Sequence, residues 1–110
     1  MEVAKIVADL GWETLVGADL TRDVRGGYCS DLLSDVLAHA QAGDLWITHQ
    51  RHLNVVAVGK LRDVAGIVFP RGLRPTPDVI ARAAQERVNL FLSADPAFVV
   101  AGKLYRVLHP

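Results

Sequence analysis

The chain has 110 residues, 51% of them apolar, and its twelve basic and twelve acidic side chains cancel at neutral pH. That length predicts one domain, long enough to bury a core without disulfides or metal. The charge balance and the few aromatics (three Phe, two Tyr, two Trp) argue against nucleic acid as a partner. No run of 18 apolar residues offers a membrane span, and the acidic start "MEVAKIVADLG" has no cleavage-site pattern of a signal peptide. The lone cysteine, Cys29, suits a reducing, cytoplasmic setting. A small domain this apolar is expected to hide some surface in a partner, and a homodimer is the simplest form.

Val3, Ile6, Val7 and Leu10 recur at helical spacing, so residues 2–10 read as an amphipathic helix closed by Gly11. "ETLVG" is a short strand candidate and "ADLTRD" a loop. "VRGGYCS" reads as a strand broken by glycines. Ser30 is placed to cap the next helix, with Asp31 in its first turn. Leu32, Leu33, Val36, Leu37 and Ala40 form that helix's apolar stripe, and Gly43 stops it. "LWIT" (45–48) is a strand. "LNVVAVGKLRDVAG" is ambiguous: its valines favour a strand, whereas Leu53, Val56, Ala57, Lys60 and Leu61 keep helical spacing. A helix is expected, because "GIVF" (66–69) follows as a strand and parallel neighbours need a crossover. Thr76-Pro77 opens a helix to about Arg87, "NLFLS" (89–93) is a strand, and Asp95-Pro96 starts a last helix to about Tyr105. The alternation predicts an α/β fold, a mostly parallel sheet of four or five strands flanked by helices, in a single domain over residues 1–110.

In such sheets ligands gather beyond the carboxyl ends of the strands. Those ends carry Gly26, Gly27, Tyr28 and Ser30, then Thr48, His49, Gln50 and His52, then Arg71 and Gly72, then Ser93 and Asp95. Gly26-Gly27 would let backbone N–H groups approach an anion ahead of a helix N-terminus, or serve a tight turn alone. His49 and His52, without a cysteine or carboxylate at ligand spacing, fall short of a metal site, so no metal or other cofactor is expected. His39, near a helix C-terminus, reads as structural. Ser30-Asp31 and Ser34-Asp35, one helical turn apart, read as caps and solvated helix-face positions, since no histidine is placed to complete a triad. The nucleotide-binding motif GxxxxGK[ST] is missing.

The run "DVRGGYCSDLLSDVLAHAQAGDLWITHQRHLNVVAVGKLRDVAGIVF", with the late "FVVAGKLY", resembles the DRTGG domain family over nearly the whole chain. Asp23, Gly26 and Gly27 match the family's D…GG, while Val24 and Arg25 depart from its Arg and Thr. The resemblance implies a fold like the N-terminal domain of HPr kinase, which lacks the kinase centre. DRTGG domains are fused to CBS-domain pairs and phosphotransacetylases, which implies regulation by small ligands. The expected function is therefore a non-enzymatic regulatory module that binds a small anionic ligand such as a nucleotide. Its expected site residues are Gly26, Gly27, Tyr28, Ser30, Thr48, His49, Gln50, His52 and Ser93, with none of them catalytic. A small phosphate-handling enzyme using His49 or His52, or a ligand-free interaction subunit, are the alternatives.

Overall fold

A computed structural model describes residues 1–110. Its strands are β1 (Glu13–Val16), β2 (Gly26–Cys29), β3 (Asp44–Ile47), β4 (Gly66–Phe69) and β5 (Leu90–Leu92). Its helices are α1 (Val3–Leu10), α2 (Leu33–His39), α3 (Asn54–Arg62), α4 (Pro77–Glu86) and α5 (Ala97–Leu108). The strands form one sheet in the order β1-β5-β4-β3-β2. The pairs β2–β3, β3–β4 and β4–β5 are parallel, and β1 lies antiparallel on β5. All four parallel strands therefore finish at one end of the sheet.

Both faces are covered, as a parallel sheet requires. On one face Trp46, Ile67, Phe69 and Leu90 meet Val36 of α2, Val55 and Val56 of α3 and Val79 and Ala83 of α4. On the other, Leu45, Ile47, Val68 and Phe91 meet Val3 and Ile6 of α1 and Val100 and Leu104 of α5. Trp46, Phe69 and Phe91 are fully buried, each contributing roughly 1.5–3 kcal/mol by removal from water. The central strands β3 and β4 are buried at every position, which is why both read as unbroken apolar runs.

The valine-rich segment before β4 is a helix. Its strand propensity yields to topology, because the chain must return from the carboxyl end of β3 to the amino end of β4. Left-handed residues end three helices: Gly11 at φ 70° for α1, Asp63 at 55° for α3 and Arg87 at 59° for α4.

Three expectations need correction. Gly26-Gly27 is not a loop: both residues lie inside β2, paired with Asp44 and Leu45, and neither has a positive φ. Space explains the glycines. A Cβ on Gly27 would stand 2.9 Å from Cδ2 of Leu104, and one on Gly26 2.9 Å from Oδ1 of Asp44. Ser30 is not a helix cap either. The helix α2 begins three residues later, with Leu32 in the cap position and Asp35 in its first turn, because Asp31 is drawn away to β3. Finally, α5 runs past Tyr105 to Leu108, where Leu104, Val107 and Leu108 continue the stripe packed on the sheet.

Candidate functional site

The carboxyl ends of β2 and β3 are tied together by Asp31. Its Oδ1 accepts hydrogen bonds from the backbone N–H of His49 (2.7 Å) and the hydroxyl of Thr48 (3.1 Å). Its Oδ2 lies 3.0 Å from Nδ1 of His49. The Gln50 side-chain amide donates to the Asp31 carbonyl at 3.0 Å, and the Gln50 backbone N–H to the Thr48 hydroxyl at 3.1 Å. Burial pushes the Asp31 carboxyl up, but the bonds from the His49 N–H, its imidazole and the Thr48 hydroxyl outweigh burial and hold it below the ordinary carboxylate value. An anionic Asp31 favours the tautomer of His49 with the proton on Nδ1, which leaves Nε2 available as an acceptor.

The loop this clasp supports forms one wall of an open cleft of about 880 Å³, with His49, Gln50, Arg51 and His52 on one side and Arg74 and Thr76 on the other. The N-terminal ends of α3, at Asn54, and of α4, preceded by Thr76 and opened by Pro77, meet the same space. Val55 and Val56 of α3 already donate their N–H groups to the His52 and Leu53 carbonyls, and Val79 and Ile80 of α4 donate theirs to that of Thr76, so each end contributes chiefly the positive end of its helix dipole. Arg74 is held by two 2.8 Å bonds to the Glu13 carboxylate, which partly neutralise it. The Arg51 side chain forms no ion pair or hydrogen bond within the chain, so its charge is available to a ligand. Asp78, bonded to the Thr76 hydroxyl, sets a negative limit on the far side.

Of the nine residues expected from sequence, His49, Gln50 and His52 line this cleft and Thr48 braces it from below, being 1% exposed. Ser30 turns its hydroxyl oxygen to the Leu32 N–H at 3.2 Å, and its carbonyl accepts the Trp46 indole N–H at 2.9 Å. Ser93 is buried at the end of β5, where its Oγ accepts the Asp95 N–H at 3.1 Å. Tyr28 faces α2 and donates to Asp35 at 2.7 Å. That bond, burial and the Asp35 charge together raise the Tyr28 phenol. Gly26 and Gly27 begin β2, so they sit at the opposite end of the sheet from Thr48 and Ser93. The sequence reading missed Asp31, Arg51 and Arg74 as parts of this site.

The architecture is that of a small α/β domain with a five-stranded, mostly parallel sheet covered by helices on both faces. No protein-family model and no curated protein matches the chain. Among solved structures, the chain is similar to the CBS and DRTGG domains of the regulatory region of Clostridium perfringens pyrophosphatase, determined with its activator, diadenosine tetraphosphate. The TM-score is 0.76 over 94% of this chain at 12% identity, and the match takes in 45% of that chain. The likeness is one of fold, and the 110-residue length is consistent with a DRTGG domain, as the sequence motif implies.

Proposed function

We propose that this protein is a non-enzymatic regulatory module that binds a small phosphate-bearing anion, of the nucleotide class, in the cleft at the carboxyl ends of β3 and β4. The observation that carries the reading is the convergence there of the uncommitted Arg51, the His52 imidazole and the positive ends of two helix dipoles, beside a loop that the Asp31–His49 clasp holds in place. The similar pyrophosphatase region is itself regulatory and was determined with a nucleotide activator, which supports the ligand class. Its contact residues are His49, Gln50 and His52, joined by Arg51 and Arg74.

The test is calorimetric titration with ATP, AMP and diadenosine tetraphosphate on the wild type and on Arg51→Ala/His52→Ala. Removing a charge-assisted partner from an anion is worth about 1.5–3 kcal/mol, so the double variant is expected to bind at least about tenfold more weakly. Absence of binding by all three probes, or unchanged affinity in the variant, would sink the reading.

The Asp31–His49 pair favours one alternative, a small enzyme in which Nε2 of His49 moves a proton. Hydrolysis of a bound nucleotide, lost in His49→Asn while binding persists, would select it. Binding without turnover selects the module.

A further inference from the structure

Helix α2 begins at Leu33, two residues later than its own sequence favours. Ser30 already stands as a helix N-cap would. Its backbone N–H is tied to the Ile47 carbonyl at 3.2 Å. Its Oγ accepts the Leu32 N–H at 3.2 Å, the bond an N-cap makes to the second helical residue. With Ser30 as the cap, Asp31 would fall in the first turn, where a carboxylate is favoured. Leu32 would stand one turn before the buried Val36, on the face that packs against the sheet. The Ser34 N–H, which forms no hydrogen bond within the chain, would donate to the Ser30 carbonyl, whose second lone pair is free beside the Trp46 indole. Leu32 is instead extended, at φ −95° and ψ 109°, and 64% exposed. What opposes the longer helix is Asp31. Its carboxylate is held by the Thr48 hydroxyl and by the N–H and imidazole of His49, and its carbonyl by the Gln50 amide.

We propose that Asp31 is a two-position latch. In the position seen, it pins the His49–His52 loop and α2 begins at Leu33. Released, Asp31 and Leu32 turn into α2, Ser30 caps it, and the loop loses its anchor. Only two residues need change backbone conformation, because Ser30 already makes the cap bond and Leu33 is already helical. Local signals and the bonds to β3 and its loop thus favour different arrangements of one segment, which is the condition for a bistable element. The consequence for the cleft rests on the regulatory reading above. An anion seated against His49, Gln50 and His52 needs the loop in its pinned position, so it binds the latched form more tightly and keeps α2 short. Occupancy of the cleft is thereby transmitted to Leu32, exposed in one position and packed in the other.

The Cα chemical shifts of Asp31 and Leu32 and the exchange of the Ser34 amide, measured by NMR on the full chain, test this. Two variants release the latch: Asp31→Ala, and Thr48→Val/His49→Ala, which leaves the sequence of α2 and its cap untouched. In both, the shifts at positions 31 and 32 are expected to move from extended to helical values, and Ser34 exchange to slow at least about tenfold. Thr48→Val alone loosens the latch. It is expected to bind ATP at least about fivefold more weakly than wild type, and saturating ATP to return Leu32 to its extended shift. A segment that stays extended or becomes disordered in both released variants would overturn the proposal, since a clasp that only braces the loop gives that result. So would ATP that binds Thr48→Val and leaves the Leu32 shift where it was. A wild type that binds no ATP, with the helical gain present in both variants, would sink the regulatory reading of the cleft and leave the latch standing.

Discussion

Gly27→Ala separates the two roles open to the glycine pair, ligand loop and packing. The added methyl would stand 2.9 Å from Cδ2 of Leu104 and 3.7 Å from the Leu45 carbonyl oxygen. The first contact is too short to persist. Leu104 is 2% exposed and set among Val3, Ile47 and Val100, so it can yield only by leaving its rotamer or by lifting α5. Overpacking of this kind costs about 1–3 kcal/mol. The backbone is extended with φ outside the left-handed region, so the substitution also restricts the unfolded chain and returns about 0.4–1 kcal/mol. The net expectation is a loss of about 1 kcal/mol and no more than about 2.5 kcal/mol, a fall in Tm of about 4 °C for a domain of this size. Urea denaturation with a double-mutant cycle against Leu104→Ala is the assay. If the clash is the cause, the two changes compensate, with a coupling of at least about 0.5 kcal/mol. Affinity for an anion in the His49–His52 cleft should not change, since Gly27 begins the strand whose far end reaches that cleft. A variant more stable than wild type, or one with unchanged stability and weakened anion binding, refutes this account of the glycines.

Gly43→Ala should lose about 1–2 kcal/mol in the same assay, because Gly43 sits at φ 87° and its added Cβ would stand 2.8 Å from Cγ of Arg25; a neutral result would show that the turn before β3 relaxes freely. Trp46→Phe removes the indole N–H that satisfies the Ser30 carbonyl at 2.9 Å, and should cost at least about 1–3 kcal/mol for the unpaired group, read from the denaturation midpoint. Acidification should destabilise the domain through Asp31 and Asp35, both held below the ordinary carboxyl value of 3.8. Depressed carboxyls contribute stability that is complete above 3.8 and is lost as pH falls through their lower folded-state values. Urea denaturation at about pH 5 and about pH 3 should therefore show a smaller loss in Asp31→Asn than in wild type, and equal losses would count against the Asp31 clasp.

The elements of the fold were legible because burial leaves a strong mark: β3 and β4, covered on both faces, appear as "LWI" and "GIVF" between turn residues. Even the valine-rich α3 was recoverable, though from topology and not from propensity. Two kinds of information were hidden. The first is close packing across the sheet. Gly26 and Gly27 look like turn residues in one dimension, and only the approach of Asp44 to the first and of Leu104, 77 residues on, to the second shows that they are strand residues stripped for space. The second is register. Asp31 and His49 are 18 residues apart, and no local motif joins them. Once β2 and β3 are taken as parallel neighbours, however, Cys29 pairs with Ile47, an offset of 47 − 29 = 18. The same offset carries Ser30 to Thr48 and Asp31 to His49. The clasp is therefore a consequence of strand register and not of spacing within either segment. A carboxylate two residues beyond one strand and a histidine two residues beyond its neighbour is a signal that could have been read from the sequence, had the register been fixed first. The cleft's charges follow by the same logic: Arg51 continues the loop that Asp31 pins, and Arg74 is set opposite by its bonds to Glu13 at the start of the antiparallel edge strand.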